Sequence, residues 1–326
     1  MSQWKTYQAT ISGKDVHHDV PLGNFAVRAF QSAEEYVAPR LVPPVRVEHE
    51  TDRYYIIDPN TWLVTANDLR GRREAPRQIE WKVSSDAYAV QHRVLRGGLA
   101  KEDIANADAA IRLRQNTARH VSEALARTFE DRVASFVTSI SNVGSGVSLA
   151  GGDKWSDLLN SDPISAVNTG HAFSENRVGL HLNTMVIDKD TYRIARRHPM
   201  ILDQLGIKFT TGGFATDAQL KEAFEVENLW VARGIVNRNP GGTSSIVNIW
   251  GNNVLLAYVD PNPQGVEVTT FMVGFRWQPE DFPAPFQAVT YDDPDPGRRT
   301  EYVEVGYFQD EKRVARDLSY LIAATL

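Results

Sequence analysis

A chain of 326 residues with 42% apolar content has material for roughly two domains and a sizeable core without any covalent staple. It has no cysteine, which excludes disulfides, thiolate nucleophiles and cysteine-type zinc sites and suits folding in a reducing compartment. The net charge of −6 argues against a dedicated nucleic-acid binder; with no N-terminal signal and no run near the ~18 apolar residues of a membrane span, a soluble, non-secreted chain is expected.

Residues 1–47 carry scattered apolar side chains (Trp4, Tyr7, Phe25, Val27, Phe30) and end in Pro39 and Pro43-Pro44, which favour extended backbone. An arm lying on a neighbour is expected, with a flexible tail as the plain alternative. From Glu48 the character turns to β. Tyr54 to Ile57 forms a β-rich run, Asp58-Pro59-Asn60 breaks it, and Trp62 to Thr65 resumes it. A polar stretch follows with Arg70, Arg72, Arg73 and Glu74, after which Ile79, Trp81 and Val83 alternate with Glu80 and Lys82. Two strand-like arms around a charged tip describe a long hairpin, which is marginal alone in water and must lie on another surface.

A short helix is expected near residues 101–105, then a much longer one from about Asp108 to Ile140. There Ile111, Leu113, Thr117, Val121, Leu125, Phe129, Val133, Phe136 and Ile140 recur every three or four residues, opposite Arg112, Arg114, Arg119, Glu123, Arg127 and Glu130. No glycine or proline interrupts it. His120 falls beside the apolar stripe, where a packed or partner-facing histidine is expected. The stretch from Ser139 to Gly152 reads as a flexible glycine and serine linker. Its Gly144-x-Gly146 is not a phosphate loop, because it follows a helix, has no third glycine in register and no Lys-Ser/Thr after it.

Residues 155–260 alternate helix and strand. Met185 to Ile187 is a short strand, Asp188 caps a helix, Pro199 opens another that stops at Gly206, and Thr216 or Asp217 starts a third. Leu229 to Val236 reads as a strand, and 246–250 with 254–259 as a hairpin turning at Gly251. Beyond a strand at 271–277 and a proline-rich loop, Val303, Val305 and Tyr307 alternate, and a turn at Gln309 to Lys312 leads to a last strand through Tyr320 and Ile322. This final hairpin is expected to cover the stripe of the long helix.

Chemistry is sparse. The eight histidines include no His-Glu-x-x-His and no pair at helical spacing, so no zinc site is expected. The exposed His17-His18 pair reads as bland, and Asp292, Asp293 and Asp295 read as a solvated turn, since their spacing does not fit a calcium loop. No nucleophile elbow or Walker lysine occurs.

Arm, hairpin, spine helix, α/β unit and returning C-terminal strands make a familiar order. So do Arg73-Glu74-Ala75-Pro76 through Trp81, Tyr88-Ala89-Val90, the run from Glu102 to Asp108, Glu130-Asp131-Arg132-Val133, Asp310 to Val314 and Tyr320-Leu321-Ile322. The chain resembles the major capsid proteins of tailed bacteriophages, of the Hong Kong 97 type. The resemblance implies an α+β fold with an N-terminal arm (1–47), an extended β-hairpin loop (48–95), a peripheral domain (96–154 with the spine helix, and 263–326) and an axial domain (155–262). It implies a non-enzymatic shell subunit that forms pentamers and hexamers around packaged double-stranded DNA touched without sequence recognition. No cofactor, metal or membrane is expected.

Further partners implied are a portal, a decoration protein and, since few residues precede the hairpin, either a separately supplied scaffolding protein or none. The location is the virion capsid, assembled in the bacterial cytoplasm. Arg70, Arg72, Arg73, Glu74, Trp81 and Lys82 are the expected intersubunit contacts, with non-covalent locking rather than a Lys82 isopeptide crosslink. The alternatives are an encapsulin-like bacterial compartment and a two-domain α+β enzyme without a local site signature.

Overall fold

The computed structural model describes residues 17–18, 36–57, 65, 68–69, 75, 83–106, 110–207, 213–239, 241–260, 262–263, 269–279, 286–295 and 297–326. In chain order its elements are β1 (His17–His18), α1 (Ala38–Leu41), β2 (Pro44–Val47), β3 (Thr51–Ile57), β4 (Val83–Ala89), β5 (Gln91–Ala100), α2 (Lys101–Asn106) and α3 (Ala110–Val137). Next come β6 (Ser145–Ser148), α4 (Pro163–Val178), β7 (Thr184–Asp188), α5 (Lys189–Ala195), α6 (Pro199–Gln204) and α7 (Asp217–Ala223). The remainder is strand: β8 (Asn228–Ala232), β9 (Ile235–Asn237), β10 (Ile246–Asn248), β11 (Val254–Ala257), β12 (Met272–Trp277), β13 (Gln287–Asp292), β14 (Thr300–Arg313) and β15 (Ser319–Ala323).

The expected spine is α3, 28 residues long and therefore about 42 Å at ~1.5 Å per residue. Its buried face is Ala118, Val121, Ser122, Leu125, Ala126, Phe129, Glu130, Val133, Ala134 and Val137, a continuous stripe at helical spacing. Several placements differ from the expected stripe: Leu113 and Thr117 are half-buried and Ile140 is exposed. Phe136 is half-buried, and Glu130, assigned to the charged face, lies fully inside. The helix stops short of Ile140 because Asn142 turns back and donates its side-chain amide to the Phe136 carbonyl (2.9 Å), satisfying an acceptor the helix leaves open.

The chain divides into two units. In the first (1–34, 91–128 and 277–309), β14 lies between β5 and β13, and β1 pairs beyond β13, all antiparallel. The alternation read at Val303, Val305 and Tyr307 holds, with all three buried. Strand β5 lies hard against α3: a Cβ at Gly97 would meet the Thr117 methyl at 2.6 Å. The helix is also tied to the sheet by a bidentate ion pair from Arg114 to Glu301, at 2.6 and 2.7 Å.

The second unit (35–90, 129–276 and 310–326) centres on a five-stranded mixed sheet in the order β6-β15-β11-β7-β8. Every residue of β7 and of β11 is buried, which is why they read as unbroken apolar runs with no alternation. Helix α4 presses close enough that a Cβ at Gly170 would meet Leu256 at 2.6 Å. Its ends carry local signals: Asp162 accepts from the Ile164 and Ser165 amides, Pro163 opens the first turn, and Gly179 closes the helix at φ 73°. The expected caps hold at Asp188 and at Thr216, where Gln219 completes a capping box.

Three expectations are corrected in this unit. The C-terminal hairpin does not form: β14 runs unbroken through Gln309 to Arg313, and β15 leaves to pair with β11 and β6. Residues 246–257 are likewise no hairpin, because β10 pairs with β9 while β11 pairs with β15 and β7. The glycine and serine linker is in part a strand, β6, parallel to β15. A Cβ at Gly146 would meet the Leu321 carbonyl at 2.6 Å, and one at Gly144 the Ser319 carbonyl at 2.7 Å, so these glycines serve close backbone approach.

Candidate functional site

The most heavily bonded buried side chain in the second unit is Glu130. Its carboxylate accepts from the Val37 amide (3.1 and 3.0 Å), the Ala38 amide (2.6 Å) and the Trp250 indole N–H (2.5 Å). Val37, the cap residue of α1, has no side-chain acceptor of its own, so Glu130 supplies the cap from a remote helix. Burial pushes the Glu130 pKa up, and the donations from Ala38, Trp250 and Val37 offset part of that rise. Around this clamp Val37, Ala38, Leu41, Val42, Val45 and Val47 are buried within the chain's own second unit, whereas the sequence pointed to an arm on a neighbour.

The β3–β4 hairpin follows directly. Its register pairs Thr51 with Ala89 through Ile57 with Val83. Of its described side chains only Tyr54 and Tyr88 are buried. Both rings rest on Phe275, at centroid distances of 5.1 and 4.6 Å. The Tyr54 hydroxyl reaches Asp86 and the Arg313 carbonyl, each at 3.3 Å, and burial raises its pKa well above the ordinary tyrosine value. Asp310 holds the base by accepting from the Ala89 amide at 2.9 Å. Two rings therefore root a ribbon whose other faces, including Tyr55 and Val83, meet solvent.

Charged contacts from α3 continue this pattern within the second unit: Arg132 pairs bidentately with Glu311, and Asp131 with Arg238. The buried histidines make structural bonds, His198 with the Ser161 hydroxyl and His171 with the Phe224 carbonyl, both at 2.9 Å. His120, by contrast, is exposed and stands 4.0 Å from Glu123. Among the described residues no group of three or more acidic or histidine side chains is placed to hold a metal ion. The aspartate turn is held by neighbours instead, Asp292 by Lys101 at 2.7 Å and Asp293 by the Tyr302 hydroxyl at 3.0 Å. Arg70, Arg72, Arg73, Glu74, Trp81 and Lys82 all lie outside the described residues.

The helical phase of Glu130, eight residues after Ser122 and four after Ala126, was the signal available for it in the sequence. Nothing local pointed to Phe275 as the seat of the hairpin, since that contact joins distant segments.

No family model matches the chain. It is 27% identical over 259 residues to the major capsid protein of Burkholderia phage BcepMu, covering 78% of this chain and 80% of the relative. Among solved structures, a phage-related protein from Bordetella bronchiseptica superposes with a TM-score of 0.72 at 20% identity, covering 95% of this chain and 98% of that one. The capsid of the cyanophage P-SCSP1u superposes with a TM-score of 0.55 at 12% identity, covering 88% of each chain. The chain therefore has the Hong Kong 97-type capsid fold, and a phage major capsid protein is among its sequence relatives.

Proposed function

We propose that the chain is the structural shell subunit of a tailed-phage-type capsid, assembling with copies of itself into pentamers and hexamers around double-stranded DNA. The observation that carries this reading is the match along most of a major capsid protein's length by a chain with the capsid fold. The physical complement is the hairpin. A two-stranded ribbon with two buried anchors gains the rest of its burial on a neighbouring subunit, so folding and assembly are linked. Its tip, with Arg70, Arg72, Arg73, Glu74, Trp81 and Lys82, is the proposed intersubunit contact. Residues 155–262, with β6 and β15 completing their sheet, act as the axial domain, and the residues before Tyr36 as the arm; a separate scaffold, a portal and a decoration protein complete the partners, and the product is the virion capsid built in the bacterial cytoplasm.

Negative-stain electron microscopy of the full chain, expressed alone and with its scaffold, tests the reading. Closed icosahedral shells are expected. Discrete monomers under every assembly condition, together with a saturable small-molecule site, would replace it with the two-domain enzyme.

A further inference from the structure

Helix α5 presents Lys189, Tyr192 and Arg193 on one face, and its C-cap residue Arg196 extends that face, at the i, i+3, i+4 and i+7 positions. Val231 from β8 and Arg233 just beyond it complete the lining of a cavity of about 310 Å³. Four cations thus surround a floor made of a valine and a tyrosine ring. Arg193 is neutralised by Asp190 at 2.7 Å, and the Tyr192 hydroxyl donates to Asp217. Arg196 uses its Nε on the Ala215 carbonyl (2.8 Å), leaving its outer nitrogens for another acceptor. Among the described residues neither Lys189 nor Arg233 forms an ion pair.

The Arg196 guanidinium is flanked by the Tyr192 and Phe214 rings, 5.6 and 5.8 Å from their centroids, and Phe214 is 57% exposed. Arginine set between aromatic rings beside uncovered apolar surface is the composition of an interface centre. We propose that this pocket receives an acidic side chain of a second copy of the chain. This rests on the shell-subunit reading.

Two features select that occupant. The cavity is concave with an apolar floor, which suits methylenes ending in a carboxylate, whereas duplex phosphates present a broad convex face. The chain itself also carries an acidic surplus, 41 acidic against 35 basic residues, so each copy has carboxylates to offer. Uncompensated arginine and lysine at the pocket then gain a partner only when copies meet.

The test uses the full chain with Lys189→Glu and Arg233→Glu together. Both positions have access to solvent, so circular dichroism and urea unfolding should match the unaltered protein. Shell yield by light scattering and microscopy is expected to fall roughly tenfold or more, while Lys189→Arg with Arg233→Lys assembles normally. Should the reversal disturb folding, Lys189→Ala with Arg233→Ala is measured in the same way, with the same direction of loss expected. Normal shells from the charge-reversed protein would overturn this inference and leave the shell reading intact. If the unaltered chain never assembles, both fall. If the substitutions abolish binding of a short DNA duplex while shells form normally, the pocket serves phosphates and the proposal is wrong.

Discussion

Glu130 and Trp250, 120 residues apart, are joined by an indole N–H donated to a fully buried carboxylate at 2.5 Å. The same carboxylate caps α1 through the Val37 and Ala38 amides. One side chain on the long helix thus gathers the segment before β2 and the loop before β11.

Replacing Glu130 by Leu fills the space and removes the charge but leaves three N–H donors without an acceptor. Each buried donor so orphaned costs about 1–3 kcal/mol, so a total loss of at least about 3 kcal/mol is expected in urea unfolding. A variant as stable as the parent would show that the clamp is energetically idle. Glu130→Gln should also be destabilising, because its amide sets further donors against the same N–H groups.

The hairpin root makes a different prediction. Tyr54→Ala together with Tyr88→Ala removes both rings from Phe275, and exchange of the backbone amides in 51–57 and 83–89 should accelerate to the rate of an open ribbon. Amides of β7 and β11, which belong to a sheet closed on both sides by other strands, should keep their protection. Uniform loss across both regions would mean the hairpin and sheet unfold as one element. Tyr54→Phe, which loses only the hydroxyl bonds, should cost about 1 kcal/mol.

His181 supplies the pH dependence. Its Nδ1 meets the Glu175 carboxylate and its Nε2 the Glu225 carbonyl, both at 2.7 Å. Two acceptors demand two N–H groups, so the ring is an imidazolium in this arrangement, stacked 4.0 Å from His171. Burial lowers its pKa, but the bonds to Glu175 and Glu225 outweigh that and leave it raised. His171, more deeply buried, is lowered chiefly by desolvation. With the folded value above the unfolded one, the His181 contribution is complete below about pH 6.5 and is lost as pH rises through the raised value. Proton titration by NMR should show His181 protonating at higher pH than His171. In His181→Gln this part of the stability slope should vanish; an unchanged slope would assign it to another group.

Much of this fold was legible locally. The stripe of α3 follows from side chains recurring every three or four residues, the face of β14 from alternation at Val303, Val305 and Tyr307, and the helix starts from Asp188, Pro199 and Thr216. These signals lie within a few residues of the structures they specify. The passage from hairpin to spine to α/β unit, and with it the capsid resemblance, rested on the same kind of information.

What lay beyond reach were partners. Glycine next to serine looks the same in a linker and in β6; the close approach of the Leu321 and Ser319 carbonyls is what requires Gly146 and Gly144. The apolar run of β15 fits a hairpin with β14 as well as it fits a sheet with β11 and β6. A glutamate among arginines looks like solvated surface until Val37, Ala38 and Trp250 bring it three donors. Short-range periodicity and capping marked most of the helices and strands, and the buried faces of α3 and β14 apart from Glu130. Which strands pair and which charge is buried followed from packing, because hydrogen-bond partners as far apart as the 93 and 120 residues that separate Glu130 from Val37 and Trp250 leave no trace in either local pattern.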